Sequence, residues 1–177
     1  MTNEELKILL DELTALPLET EWVEFKDSNY NHQTIGEYLS ALSNSACLEN
    51  KDHGYLIFGI EDGTHKIVGT IFQPKKKKIG NQERENWLAT LLNPRIDFRI
   101  FEINWQDKRT VLFQIDATKD TPVSFKGETY IRIGSYKKKL KEHPERERKI
   151  WHNARRIVFE SDFAIRNVSG VTRILFV

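Results

Sequence analysis

Three acidic side chains stand where carboxylate chemistry would need them. Glu19 precedes a short apolar segment, Glu24 lies within it, and Asp62 closes the apolar run at 55–60. Carboxylates gathered in one pocket hold Mg²⁺ or Mn²⁺, because hard cations prefer oxygen ligands. Such a cation can activate water and steady the charge of phosphodiester hydrolysis. In one regular strand Glu19 and Glu24 would face opposite ways, since their separation is odd. They converge only if Glu19 sits in the loop before the strand or a bulge intervenes. Solvated strand-flanking acids are the alternative, and Asp62 also suits a turn.

The second set is basic. Lys75, Lys76, Lys77 and Lys78 are consecutive, and Lys137, Lys138, Lys139 and Lys141 follow YIRIGS at 130–135. Residues 126–156 hold eleven bases against four acids, whereas residues 1–30 hold eight acids against two bases. Lysines beside Tyr130, Tyr136 and Trp151 suit phosphate contact and base stacking. A solvated loop and surface helix are the alternative reading. Several chemistries lack a motif. There is no GxxxxGK[ST], no GxGxxG and no HExxH. The lone Cys47 excludes an internal disulfide and a cysteine-based zinc site, and it reads as a core residue.

The elements that must position these groups follow from periodicity. Leu6, Leu9, Leu10, Leu13 and Leu16 recur at helical spacing with Asn3 as the N-cap. Residues 21–26 read as a strand. Thr34 and Glu37 have capping-box spacing ahead of a helix with Ile35, Tyr38, Leu39, Leu42 and Ala46 on one face. YLIFGI at 55–60 reads as a buried central strand, turning at Asp62-Gly63 into a return strand over 66–71. A helix is expected over 82–92. Ile96, Phe98 and Ile100 alternate, then Phe101, Ile103 and Trp105 alternate out of phase, which predicts a β-bulge. Strands over 110–116 and 128–133 and a charged helix over 142–158 complete an α+β pattern with a mostly antiparallel sheet. The expected divisions are an N-terminal helix (1–15), a central domain (16–141), and a basic helix with an apolar tail (142–177). With 39% hydrophobic residues the chain can build a core. No apolar stretch is long enough to span a membrane, and no signal-peptide h-region is present, so a cytoplasmic setting is expected.

ETEWVEFK at 19–26, SALSN at 40–44, GYLIFGIEDG at 54–63, Val68-Gly69 and YIRIGS together resemble the Schlafen core and Alba-like domain family over residues 16–139. The resemblance implies an α+β fold that binds nucleic acid, and RNA is the expected partner ahead of DNA. Some Schlafens are endoribonucleases acting on tRNA and rRNA through three acids, which by motif fall on Glu19, Glu24 and Asp62. Lys26 would hold a phosphate, and Arg132 with the lysines named above would contact others. The zinc cluster of animal Schlafens cannot exist here. Their two lobes form an RNA cradle that a homodimer of this chain would recreate. Many bacterial relatives carry a further C-terminal part, which is expected to be missing or cut off here. The competing readings are a non-catalytic DNA- or RNA-binding transcriptional regulator and a protein-interaction module docking through the apolar tail.

Overall fold

The computed structural model describes residues 1–16, 20–27, 31–74 and 78–154. Glu19, Lys75, Lys76, Lys77 and the apolar tail lie outside the described residues.

Helix α1 (Asn3–Thr14) starts at the residue expected to cap it, so the cap lies one residue earlier. Thr2 is the N-cap, and Glu5 completes a capping box with it. Leu6, Leu10 and Leu13 are the buried stripe. Strands β1 (Val23–Lys26), β2 (His53–Phe58), β6 (Phe98–Trp105) and β7 (Lys108–Asp116) form one sheet in the order β1-β2-β7-β6. Only the β1–β2 pairing is parallel.

This sheet is packed on both faces. Along β2, Tyr55 and Ile57 enter the core under α1, while Leu56 and Phe58 enter the core on the other side. That alternation is why YLIF reads as continuously apolar. It also corrects the bulge expected in β6. The β6–β7 register runs unbroken from Phe98↔Ile115 to Trp105↔Lys108. Phe98 and Ile100 pack on one core, and Phe101, Ile103 and Trp105 on the other. The phase change marks a change of buried face, not an inserted residue. Gln106 and Asp107, both with positive φ, form the two-residue hairpin loop into β7.

Helix α2 (His32–Leu48) lies beneath this sheet and is the centre of the molecule, with every residue from 39 to 48 buried. Asn31 caps it through Thr34, in place of the expected Thr34–Glu37 box. On its far side lies a second, antiparallel sheet of β10 (Tyr136–Lys139), β9 (Glu128–Ile133), β8 (Ser124–Phe125) and β5 (Leu92–Asn93), in that order. A Cβ at Gly36 would overlap the Phe125 ring, so glycine allows this close approach.

Ser40, Ser43, Asn44 and Ser45 are buried polar residues, and each has backbone partners. Asn44 Nδ2 donates to the carbonyls of Val123 (2.9 Å) and Tyr130 (2.8 Å), and its Oδ1 accepts from Val123 N–H (2.8 Å). Ser40 Oγ donates to Val123 O (2.7 Å) and accepts from Tyr130 N–H (3.0 Å). Ser45 Oγ accepts from Arg132 N–H (2.9 Å). Buried polar groups persist when paired, and here the pairing fastens the helix to the second sheet.

The remaining elements are β3 (Lys78–Ile79), β4 (Gln82–Glu83), α3 (Arg84–Leu91), a 3₁₀ turn (Leu140–Glu142), and helix over 144–154. The return strand expected over 66–71 is reduced to a single bridge, Ile60↔Ile67. Among the described residues no helix is long and apolar enough to cross a membrane.

Candidate functional site

Glu24 and Lys26 are two residues apart in β1 and share a face. Val23 and Phe25 between and beside them fill the core under α1. The Glu24–Lys26 face is thereby turned toward α2 and the β9–β10 hairpin. Glu24 is 1% exposed. Its Oε2 lies 2.6 Å from Arg132 Nη2, at an angle poor for a hydrogen bond, and its Oε1 pairs with Lys26.

Arg132 corrects an expectation. It has no exposed surface, so it is not placed to contact a phosphate. Its Nη1 donates to the carbonyls of Thr20 (2.9 Å) and Val23, tying β9 to β1.

Lys26 and Lys137 meet at one aromatic ring. Their ammoniums lie 5.4 Å and 4.7 Å from the Tyr38 centroid, and Lys137 is also 5.7 Å from that of Tyr130. Such contacts favour cations near the ring face. Lys137 pairs with Glu37, which also accepts from Gln33 Nε2 (2.9 Å). Burial pushes the Glu37 carboxyl up. The hydrogen bonds from Lys137, Gln33 and Tyr130, with the charge of Lys137, outweigh it and hold the carboxyl below its ordinary value.

Around this centre the hairpin carries an outer basic row. Lys139 and Lys141 are exposed and both reach Glu128 Oε2, at 3.0 Å and 2.9 Å. Lys138 lies 5.8 Å from the Tyr136 ring, which is exposed. Glu21 fixes the hairpin. It accepts from Gly134 N–H at 3.1 Å and pairs with Arg146 of the following helix. The structure thus brings together Glu24, Lys26, Arg132 and Lys137. Glu21, Glu37 and Tyr38 complete the group and were not singled out from sequence as functional. The capping spacing had assigned Glu37 elsewhere.

Asp62 is exposed in the turn after β2. It lies two residues beyond Ile60, whose N–H, like that of Gly59, donates to Lys26 O. Lys78 is exposed on β3, opposite Glu83. His53 Nδ1 sits 3.1 Å from Asp116, and the His65 ring packs on Phe25. Cys47 is buried, and burial pushes its thiol up to about 11. Among the described residues, no three His, Cys, Asp or Glu side chains are grouped to hold a metal ion. Glu24, held between two cations, is poorly disposed to accept a third.

The fold and the site define an α+β domain with a buried central helix and a lysine-bearing hairpin. The chain belongs to the Schlafen, AlbA_2 family, whose profile matches residues 19–141. Two solved structures are similar to this chain. One is the crystal structure of the DIP2311 protein from Corynebacterium diphtheriae, at 15% identity and a TM-score of 0.51. The match covers 77% of this chain and 26% of that one, so this chain spans about a quarter of that protein. The other is the N-terminal domain of an ATP-dependent DNA helicase RecG-related protein from Nitrosomonas europaea. It is 23% identical with a TM-score of 0.47, and the match covers 73% of this chain and 89% of that one. No curated protein matches the chain.

Proposed function

We propose that this domain binds nucleic acid through the β9–β10 hairpin and the end of β1. The observation that carries the reading is the convergence of Lys26 and Lys137 on Tyr38, continued outward by the exposed Lys138, Lys139 and Lys141. Family membership supports it. Lysines of this kind contribute sequence-independent, salt-sensitive affinity for phosphates. RNA is the preferred partner in this reading, because a hairpin with exposed tyrosine and lysine suits single-stranded or looped segments. The test is binding of a structured RNA and of duplex DNA as salt is raised. Lys137→Ala should weaken binding and lower the salt slope by about one. Unchanged affinity, or affinity indifferent to salt, would reject the interface.

The endoribonuclease reading adds cleavage of the bound strand by Glu19, Glu24 and Asp62 with Mg²⁺ or Mn²⁺. What supports it is the family resemblance and the backbone bonds from Gly59 and Ile60 to Lys26, which tether the Asp62 turn to the end of β1. The described residues do not assemble a metal donor set, so no metal-dependent step is derived. Asp62→Asn is the diagnostic variant, because Asp62 is exposed and its loss should spare the fold. RNA cleavage that needs Mg²⁺ or Mn²⁺ and disappears in Asp62→Asn would support this reading. Binding without cleavage would leave the non-catalytic regulator as the function.

A further inference from the structure

A cleft of about 390 Å³ opens at the other end of β1, between α1 and the start of β2. Its walls are of two kinds. Leu9, Leu13 and Leu16 give an apolar side, and Trp22 and Tyr55 give an aromatic floor, their rings 5.9 Å apart and edge to face. Glu12, Lys51, Asp52 and His53 stand at the rim. The Lys51 ammonium lies 5.1 Å from the Trp22 ring. His53 Nδ1 lies 3.1 Å from Asp116. Burial raises the Tyr55 hydroxyl pKa, and the nearby charges of Asp52 and Glu12 raise it further against a hydrogen bond from Gln114. Both carboxylates belong to residues that line the cleft. This volume lies in the range of small-ligand sites, which are mostly apolar with a few convergent polar groups.

We propose that this cleft binds a guanine base, held between the leucine side and the Trp22–Tyr55 pair, with its N–H edge on a rim carboxylate and its phosphate near Lys51. A planar heteroaromatic ring matches the apolar and aromatic walls. Guanine presents two neighbouring N–H donors, at N1 and the exocyclic N2, that a carboxylate accepts side by side. Adenine lacks that donor pair. The base can belong to a bound strand or to a free guanine nucleotide. Only the strand source rests on the nucleic-acid reading above.

The experiment titrates the full chain with GMP, with AMP and with a G-containing single strand, following the Trp22 indole N–H and the Asp52 amide by NMR. The indole signal is assigned by its loss in Trp22→Phe. GMP should move both signals, with AMP at least about ten-fold weaker. Asp52→Asn and Glu12→Gln are both exposed sites, and one or both should erase that preference. Movement with GMP alone assigns the cleft to free nucleotide, and movement with the strand as well assigns it to bound RNA. Lys137→Ala should weaken the strand and leave GMP unaffected, which separates failure of the hairpin interface from failure of the cleft. Equal response to GMP and AMP, or no movement of the Trp22 indole, overturns the proposal. So does a site that takes free arginine in preference to GMP.

Discussion

Arg132 Nη2 and Glu24 Oε2 lie 2.6 Å apart at a place from which solvent is excluded on both sides. Taking two charges out of water costs several kcal/mol each, and their attraction only offsets that cost while both are present. Glu24→Ala should therefore lower stability by about 3–5 kcal/mol, because it strands a buried guanidinium. The double variant Glu24→Leu/Arg132→Met should lose much less. Urea denaturation of the three proteins checks this, and a fully stable Glu24→Ala would refute the pairing. The result also bears on cleavage assays, since inactivity of a Glu24 variant would report unfolding before it reported chemistry.

Asn44 is the second structural centre. Replacing it with alanine orphans the N–H of Val123 and the carbonyl of Tyr130, while the carbonyl of Val123 keeps only its bond from Ser40 Oγ. Each buried group left unpaired costs about 1–3 kcal/mol. Asn44→Asp should also fail, because a carboxylate cannot donate to the two carbonyls. Equilibrium denaturation should place both variants well below the parent.

The Glu37 carboxyl is held below its ordinary value of 4.5. A carboxyl depressed on folding adds stability that is present above the unfolded value and is lost as pH falls through the lower folded one. The thermal midpoint should thus fall with acid in that window, and Glu37→Gln should make the fall shallower. Lys137→Met should do the same by removing the group that lowers the pKa. An identical acid profile in all three proteins would exclude the linkage.

Burial pushes the Cys47 thiol up to about 11. The thiolate is the reactive form, so Ellman's reagent should modify the folded protein only as fast as it unfolds. Rapid labelling under native conditions would show that helix α2 is less protected than its contacts imply.

The elements most legible from the residues were those with one unambiguous period. Leu6, Leu10 and Leu13 marked α1, and the α2 stripe through Leu39 and Leu42 was plain. Strand β6 was misread because its two apolar phases serve two cores, and a single chain shows the phases without showing the layers. At the site, Lys26 and Lys137 were legible as basic residues of recognisable segments. Arg132 was grouped with them because the lysine run follows it closely in the chain, and burial is decided by what lies across the fold. Glu21 and Glu37 do not read as site residues for the same reason: their partners, Arg146 and Lys137, are distant in the chain.

One consequence of the Arg132 side chain concerns association between molecules. Strand β1 lies at the margin of its sheet, with β2 on one side only. The Val23 carbonyl, which a neighbouring strand would otherwise claim, is taken by the Arg132 guanidinium, as is that of Thr20 just ahead of the strand. Open margins invite further strands to add on. Here the residue that neutralises a buried acid also covers an outward carbonyl of β1, and so leaves that border less open to a further strand.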